Sequence, residues 1–199
     1  MELQNLYFLP VRNEVVLIAF VEEKMAAHLA VTLAIECGIP QTTANRIGYA
    51  MVLHDCGKRH IPDSIKNKPG KLSPTEFEVM KTHTILGARM LSSLHGDLGI
   101  IARNISLWHH EHYNGKGYWR RNANDLPSYV QIASICDVYV ALVSRRVYKQ
   151  AWTSSKALHY IKDRAGEQFC PLLVKTFLSL MDRRSCNLLC SHKNNIEGD

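Results

Sequence analysis

The chain has 199 residues, 46% of them hydrophobic and 21% charged, a composition typical of a soluble globular protein with one domain. Its longest apolar run, residues 15–21, is too short to span a membrane, and it lacks the cleavage pattern of a signal peptide. The net charge of +6 favours an anionic partner. Because lysine and arginine are spread along the chain, a small phosphorylated ligand fits this charge at least as well as nucleic acid.

Apolar residues recur at spacings of three and four along nearly the whole chain, and no stretch alternates with period two, so we predict an all-α fold. Helices are predicted from Asn13 to about Cys37, from Thr42 or Thr43 through the stretch IGYAMVLHDCG, from Pro74 to about Leu94, from Leu98 to His110, from Pro127 to about Ser144, from Thr153 or Ser154 to Ala165, and from Pro171 to about Arg183.

Two boundaries have clear local signals. Ser73, Pro74 and Glu76 form a capping-box pattern with proline at the first helical position, which predicts a helix start. Prolines and a glycine between residues 58 and 72 predict a loop with at most one helical turn. The tail beyond Arg183 is polar and is predicted to fray.

The six cysteines show no paired spacing, so we expect reduced thiols and a cytoplasmic protein. Cys186, Cys190 and His192 are similar to a zinc-binding tract. Because a fourth ligand is missing, no metal is predicted there.

Metal-ligating side chains recur on the predicted helices. His54 and Asp55 are adjacent near a helix end, where Gly57 is expected to end the helix and Lys58 supplies a cation for a phosphate. Imidazole and carboxylate together suit a divalent transition metal. The lone carboxylate of Asp137 in an apolar helix needs a cation, a hydrogen-bond network or a metal.

Further histidines extend this set. His28 and His83 lie on partly apolar helix faces, where a core histidine with one hydrogen bond is the alternative interpretation. His109 and His110 begin a stretch, HHEHYNGKGYW, that can be a protonatable surface turn, a phosphate-binding loop or half of a metal site. Together these side chains exceed what one metal requires, and two ions bridged by an aspartate are typical of phosphoester hydrolysis.

The segments HDCGK, HIPDSIKNKPGKLSPTEFEVMKTH, HHEHYNGKGYW, CDVYVALVSRRVYKQAW and AGEQFCPLLVKTFL occur in this order. With them the chain resembles the HD-GYP family of bacterial cyclic dinucleotide phosphodiesterases from about Glu22 to Met181. The resemblance implies an all-helical HD-type bundle around a buried centre of two or three metals. It also implies hydrolysis of cyclic di-GMP to the linear dinucleotide pGpG or to GMP.

Site residues follow from the resemblance, position by position. The implied metal ligands are His28, His54, Asp55, His83, His109, His110 and Asp137, with Asp55 as the bridge. Lys24 stands where members with three metals have a glutamate, which favours two divalent ions. Iron or manganese is expected, with nickel, zinc or magnesium as alternatives.

The resemblance also implies contacts with the substrate. Lys58 and Asp55 are the expected catalytic residues, with Lys58 facing the scissile phosphate. Arg146 and Lys149 are expected to hold phosphate, and Tyr118 to lie near a base. Lys68 and Lys71 are expected to line the mouth of the site, with a solvated loop as the alternative.

The sequence departs from the family pattern at four positions. Trp119 replaces the proline of GYP, Val140 and Arg145 stand where aspartates are frequent, and Val147 replaces a proline. None of these is an implied metal ligand. Valine at position 140 lacks the acceptor with which an aspartate could orient a ligand histidine. Without proline at position 119, the φ angle of the loop is no longer fixed there.

Residues 1–21 are expected to be a helical lead-in, residues 22–182 the catalytic domain and residues 183–199 a polar tail. Such a chain is a stand-alone member or an excised domain, and a regulatory protein would act in trans. Two alternatives stay open: a catalytically weak member that binds nucleotide or protein, and a phosphodiesterase for another cyclic dinucleotide such as cyclic GMP-AMP. No membrane partner is expected.

Overall fold

The structure, a computed structural model, describes the backbone of residues 21–144 and 150–193 and the side chains of residues 23–122, 124–144 and 150–184. Over these residues the chain is all-α, as predicted, with one isolated bridge between Ala165 and Phe169. The α-helices are α1 (Val21–Glu36), α2 (Gln41–Leu53), α3 (Asp63–Lys66), α4 (Pro74–Met90), α5 (Gly96–Trp108), α6 (Ser128–Val143), α7 (Ser154–Asp163) and α8 (Pro171–Lys193). Short 3₁₀ helices span Cys56–His60, Leu91–Ser93 and Ala123–Asp125.

The capping box at the start of α4 is confirmed. The Ser73 hydroxyl accepts a hydrogen bond of 3.2 Å from the Glu76 amide, and the Glu76 carboxylate accepts one of 2.6 Å from the Ser73 amide. These reciprocal bonds satisfy two amides that have no partner inside the helix. They fix where α4 begins, and therefore which of its side chains face the interior.

Several predicted boundaries were wrong by a few residues. Helix α2 begins at Gln41, and α5 both begins and ends two residues early, so His109 follows the helix as its C-cap. The largest difference is at α8, which continues ten residues beyond Arg183. Since residues 172–193 contain neither proline nor glycine, nothing in the chain stops this helix. The predicted cap at Asn13 lies outside the described residues.

Helices α1, α2, α5 and α6 enclose the core. Helix α1 packs against α2 and α6, α2 packs against α5, and α4 packs against α5 and the 3₁₀ helix that follows α2. Leu33, Ile47 and Ile105 are fully buried between them, as is Ile135, and Phe177 of α8 is also fully buried. This packing brings the end of α2, the middle of α4, the end of α5 and the middle of α6 to one place.

None of the helices described here offers an apolar stretch that is long enough to span a bilayer.

Candidate metal centre

Four elements bring metal-ligating side chains into two groups. One group contains Asp55, His83, His109 and His110, and the other contains His54, His109 and Asp137. In each group the potential ligand atoms lie within 4.8 Å of one another. Six of the seven predicted ligands therefore meet, although they come from segments more than eighty residues apart.

Asp55 connects the two groups through its two carboxylate oxygens. Its Oδ1 lies 3.2 Å from His83 Nε2 and 3.7 Å from His109 Nε2, whereas its Oδ2 lies 3.5 Å from His54 Nε2. His54 Nε2 is also 3.5 Å from Asp137 Oδ1. The two oxygens of Asp55 thus face different histidines, which is the arrangement that a bridging carboxylate requires.

Backbone carbonyls orient the histidine rings. His54 Nδ1 donates to the Met51 carbonyl at 2.6 Å, His83 Nδ1 to the Met80 carbonyl at 2.7 Å, and His109 Nδ1 to the Ile105 carbonyl at 2.9 Å. A histidine that donates from Nδ1 presents the lone pair of Nε2, and metal-bound histidines commonly have such a partner. All three Nε2 atoms point into the site.

These inward-facing atoms have no hydrogen-bond partner. Nε2 of His54, His83 and His109 and Oδ1 of Asp55 are all buried and unpaired. Leaving a buried polar atom unpaired costs about 1–3 kcal/mol, so four such atoms at one point need a ligand that binds them together. Imidazole nitrogens and carboxylate oxygens suit a divalent transition metal, and the residues present fit such an ion.

The electrostatics of the site favour the ligand form of two histidines. Burial holds the pKa of His109 well below its usual range and lowers the pKa of His110 to about 4. Both imidazoles are therefore neutral at pH 7, which is the form that binds metal.

The pKa of His54 changes in the opposite direction. Burial lowers it, but the carboxylates of Asp55 and Asp137 outweigh burial and raise the pKa of His54 to about 9. Burial also raises the pKa of Asp55, yet His54 and the ammonium of Lys58 hold it well below its usual range. The two carboxylates thus attract a positive charge to the position of the His54 ring.

Lys58 forms an ion pair with Oδ2 of Asp55. Its side chain remains 36% exposed, so the ammonium lies at the rim of the cluster. This position agrees with the prediction that Lys58 can reach a phosphate at the metal centre, and its catalytic role stays a prediction.

Gly57 has a different role from the one predicted. Helix α2 already ends at Leu53, and Gly57 lies inside the following 3₁₀ helix, against α4. A Cβ atom at Gly57 would overlap the carbonyl oxygen of His83. The glycine therefore allows the segment with Asp55 to approach the helix with His83.

Residues 111–121, which follow His110 and contain Gly115 and Gly117, form a loop that we call the glycine loop. It is fixed by Glu111, whose side chain is buried. The two carboxylate oxygens of Glu111 accept hydrogen bonds from the backbone amides of Trp119 and Arg121, at 2.7 and 2.8 Å. Gly117 passes so close that a Cβ there would overlap Cα of Glu111. The structure therefore makes Glu111 the anchor of the loop.

The loop places Tyr118 beside the metal ligands. The Tyr118 ring lies 4.4 Å from the His110 ring, centroid to centroid, and burial raises the pKa of Tyr118 to about 12. The indole Nε1 of Trp119 donates a hydrogen bond to the Thr84 hydroxyl at 3.0 Å. The structure therefore gives Trp119 a part in fixing the loop.

Other predicted residues do not join the cluster. His28 lies outside both groups; burial, and then the charge of Arg184, lower its pKa. Lys68 forms an ion pair of 2.6 Å with Glu76, whose pKa it lowers to about 2, and Lys71 is exposed. The roles predicted for these three residues stay predictions.

Some predictions fall on parts that the structure leaves out. Arg145, Arg146, Val147 and Lys149 lie outside the described residues, as do the side chains of Cys186, Cys190 and His192.

Val140 is not needed to orient three of the predicted ligand histidines. It is 2% exposed and belongs to the core. Because backbone carbonyls orient His54, His83 and His109, these rings need no acceptor side chain from α6.

Ser106 and Thr84 are two supporting residues that the sequence did not indicate. The hydroxyl of Ser106, fully buried on α5, donates to the His54 carbonyl at 2.9 Å, and Thr84 binds Trp119. Both are buried polar side chains on helices. The only signal in the sequence was a small polar residue on an otherwise apolar helix face.

A family model described as an HD domain matches residues 12–173. A cyclic di-GMP phosphodiesterase of Thermotoga maritima is 38% identical over 149 residues, which are 74% of this chain and 40% of that protein. A 3'3'-cGAMP-specific phosphodiesterase of Vibrio cholerae is 37% identical over 146 residues, which are 73% of this chain and 28% of that protein. The chain thus spans less than half the length of these relatives.

Solved structures share the fold. The HDG"Y"P protein Bd1817 of Bdellovibrio bacteriovorus matches with a TM-score of 0.65 and 20% sequence identity, over 81% of this chain and 51% of that one. At this identity the match supports the helical architecture only. The family model and the sequence relatives confirm the resemblance found in the sequence.

Proposed function

This chain belongs to the HD domain family, and from that premise we propose that it is a metal-dependent phosphodiesterase that hydrolyses cyclic di-GMP. The relatives carry names of cyclic dinucleotide phosphodiesterases. Since the chain corresponds to only part of those proteins, its activity and substrate belong to the proposal.

The observation that carries the proposal is the position of Asp55. One of its oxygens faces His83 and His109, and the other faces His54. This supports a site for two divalent ions, of which one would be held by Asp55 with His83, His109 and His110 and the other by Asp55 with His54 and Asp137. Such ions would supply an activated water and would stabilise negative charge on a phosphate. The family resemblance favours iron or manganese, with nickel, zinc and magnesium as alternatives, and imidazole ligands suit iron, nickel and zinc.

The protein's own side chains complete the site. Lys58, at the rim beside Asp55, stabilises negative charge on the scissile phosphate and gives a proton to the leaving oxygen. Tyr118, against His110, forms the wall along which the substrate enters. Hydrolysis yields the linear dinucleotide pGpG, with GMP as a further product.

Cyclic GMP-AMP is the second candidate substrate. It is favoured by the relative that is specific for 3'3'-cGAMP, which is almost as similar as the cyclic di-GMP phosphodiesterase. The contacts expected from Arg146 and Lys149 recognise phosphate and do not discriminate between bases.

A cytoplasmic location is part of the proposal. Cys37, Cys56, Cys136 and Cys170 are free thiols, as is usual for proteins in reducing compartments.

Turnover by metal-reconstituted protein tests the function. Cyclic di-GMP, 3'3'-cGAMP and bis(p-nitrophenyl) phosphate are compared side by side with iron, manganese, nickel, zinc or magnesium. We expect metal-dependent hydrolysis with the highest kcat/KM for cyclic di-GMP. Tight nucleotide binding without turnover on any metal would instead identify a binding module, and a higher kcat/KM for 3'3'-cGAMP would change the substrate.

A further inference from the structure

Phe77 is an exposed aromatic residue near the metal centre. It lies on α4 and is 41% exposed. Its ring meets the Tyr118 ring edge to face, at 5.5 Å between centroids and an interplanar angle of 83°. The ammonium of Lys81 lies 5.8 Å from the centre of the Phe77 ring and 5.4 Å from that of Trp119. Phe77 is thus held in place while part of its ring faces solvent.

Phe77 continues an aromatic surface that starts at the metal ligands. The Tyr118 ring lies 4.4 Å from the His110 ring and 6.3 Å from the His83 ring. Phe77 comes next, on the solvent side of Tyr118. A molecule with its phosphate at the metal centre can therefore lay a flat group along Tyr118 and against Phe77.

We propose that Phe77 binds the substrate by stacking against one of its purine bases. This inference rests on the proposed function, because it takes the phosphate of a cyclic dinucleotide to lie at the metal centre. Stacking on an aromatic ring needs only the π-face of a base and tolerates different bases. Phe77 therefore contributes affinity for purine dinucleotides as a class.

A protein partner fits Phe77 less well. The nearest exposed apolar residue on the same helix is Val79, which is 38% exposed. Residues two positions apart point to opposite sides of a helix. Phe77 and Val79 therefore form no continuous apolar patch of the kind that marks a protein interface. Phe77 is instead continuous with Tyr118, on the side of the metal centre.

Ligands with and without a purine separate stacking from phosphate binding. Hydrolysis of cyclic di-GMP is measured for the wild-type protein and for Phe77→Ala, Phe77→Leu and Phe77→Trp. Val79→Ala is the matched control, since it removes an exposed apolar side chain from the same helix. Equilibrium binding of GMP and of ribose 5-phosphate, which has no aromatic ring, is measured in parallel by calorimetry.

Phe77→Ala and Phe77→Leu are expected to raise KM for cyclic di-GMP roughly 5- to 100-fold, the range for loss of one base–aromatic stack. The Kd for GMP is expected to rise in parallel, while kcat for cyclic di-GMP and the Kd for ribose 5-phosphate stay at the wild-type values. Phe77→Trp is expected to keep the wild-type KM for cyclic di-GMP and Kd for GMP. Val79→Ala is expected to change neither value.

Three results would overturn the inference: an unchanged KM for cyclic di-GMP and Kd for GMP in Phe77→Ala, an equal loss of affinity for GMP and for ribose 5-phosphate, or full affinity in Phe77→Leu. Failure of the proposed function looks different. In that case the wild-type protein does not hydrolyse cyclic di-GMP, and the GMP affinities still decide whether Phe77 binds a purine.

Discussion

Trp119 donates a hydrogen bond from its indole Nε1 to the hydroxyl of Thr84, at 3.0 Å. Thr84 directly follows the ligand candidate His83, so this bond ties the glycine loop to α4 beside the metal centre. The backbone amide of Trp119 also donates to Glu111. A proline at this position has no amide hydrogen to donate.

Replacing Trp119 by proline is therefore expected to destabilise this protein, even though it restores the family's GYP sequence. Trp119→Pro loses both hydrogen bonds and leaves an oxygen of Glu111 unpaired, which costs about 1–3 kcal/mol of unfolding free energy. Trp119→Phe loses only the indole bond, for about 1 kcal/mol. Urea denaturation measures both. A Trp119→Pro variant as stable as the wild type would contradict this account of the loop.

Asp55→Ala is expected to remove bound metal and to lower kcat/KM by at least about 100-fold. This loss is larger than the usual loss when a residue that only hydrogen-bonds to a metal ligand is replaced. The reason is that Asp55 faces both groups of ligands. Metal content by mass spectrometry and turnover of cyclic di-GMP measure the two effects. Asp63→Ala is the control, since this aspartate is 79% exposed and pairs only with Lys66. Full turnover by Asp55→Ala would exclude the mechanism.

His28 and His83 are expected to differ as metal ligands. His83 Nε2 faces Asp55 without a hydrogen-bond partner, whereas His28 lies outside both groups and near the charge of Arg184. His28→Ala should therefore retain more metal per chain than His83→Ala, as determined by titration with a chelator. Equal losses of metal from the two variants would show that His28 binds metal as His83 does.

Gly57→Ala is expected to disturb the centre without touching a ligand. Its Cβ would overlap the His83 carbonyl oxygen, so α4 and the 3₁₀ helix must separate, at a cost of about 1–3 kcal/mol for overpacking. Metal affinity should fall together with stability.

Gly38→Ala is the matched glycine control. Nothing lies within 4 Å of a Cβ there, although its φ angle of 79° favours glycine. It should cost about 1 kcal/mol and leave metal affinity unchanged. Loss of metal in both variants would mean that general destabilisation, and not the contact at His83, controls binding.

Glu111→Ala is expected to loosen the glycine loop. It leaves the amides of Trp119 and Arg121 without their acceptor, at about 1 kcal/mol for each part-buried hydrogen bond. Hydrogen exchange of these amides should accelerate, and KM should rise more than metal affinity falls. Asp97→Asn, at an exposed ion pair with Arg46, should change stability by less than about 1 kcal/mol. Unchanged exchange in Glu111→Ala would refute the anchoring role.

The sequence was informative where chemistry and local signals coincide. His54, Asp55, His83, His109, His110 and Asp137 were predicted as ligands, and the structure brings them together. Helix starts at Ser73 and Thr153 follow from side chains that bond to the next turn. Such signals act over three or four residues, and they can be read without knowledge of the fold.

Tertiary contacts could not be read in this way. The role of Gly57 depends on a carbonyl 26 positions further along the chain, and that of Trp119 on a hydroxyl 35 positions earlier. Both depend on how α4 packs against its neighbours, which the pattern of apolar residues does not determine. Trp119 departs from the family sequence, yet its contacts fix the loop whose shape the loss of proline had put in doubt.

The hydrogen bonds from histidine Nδ1 to carbonyls three or four residues earlier have an evolutionary consequence. Each ring is aimed by the turn of backbone that carries it, so a ligand and its support are inherited as one short segment. Surrounding core positions can then diverge without compensating changes at the ligands. Lineages of such proteins can keep their metal chemistry while the side chains around it drift.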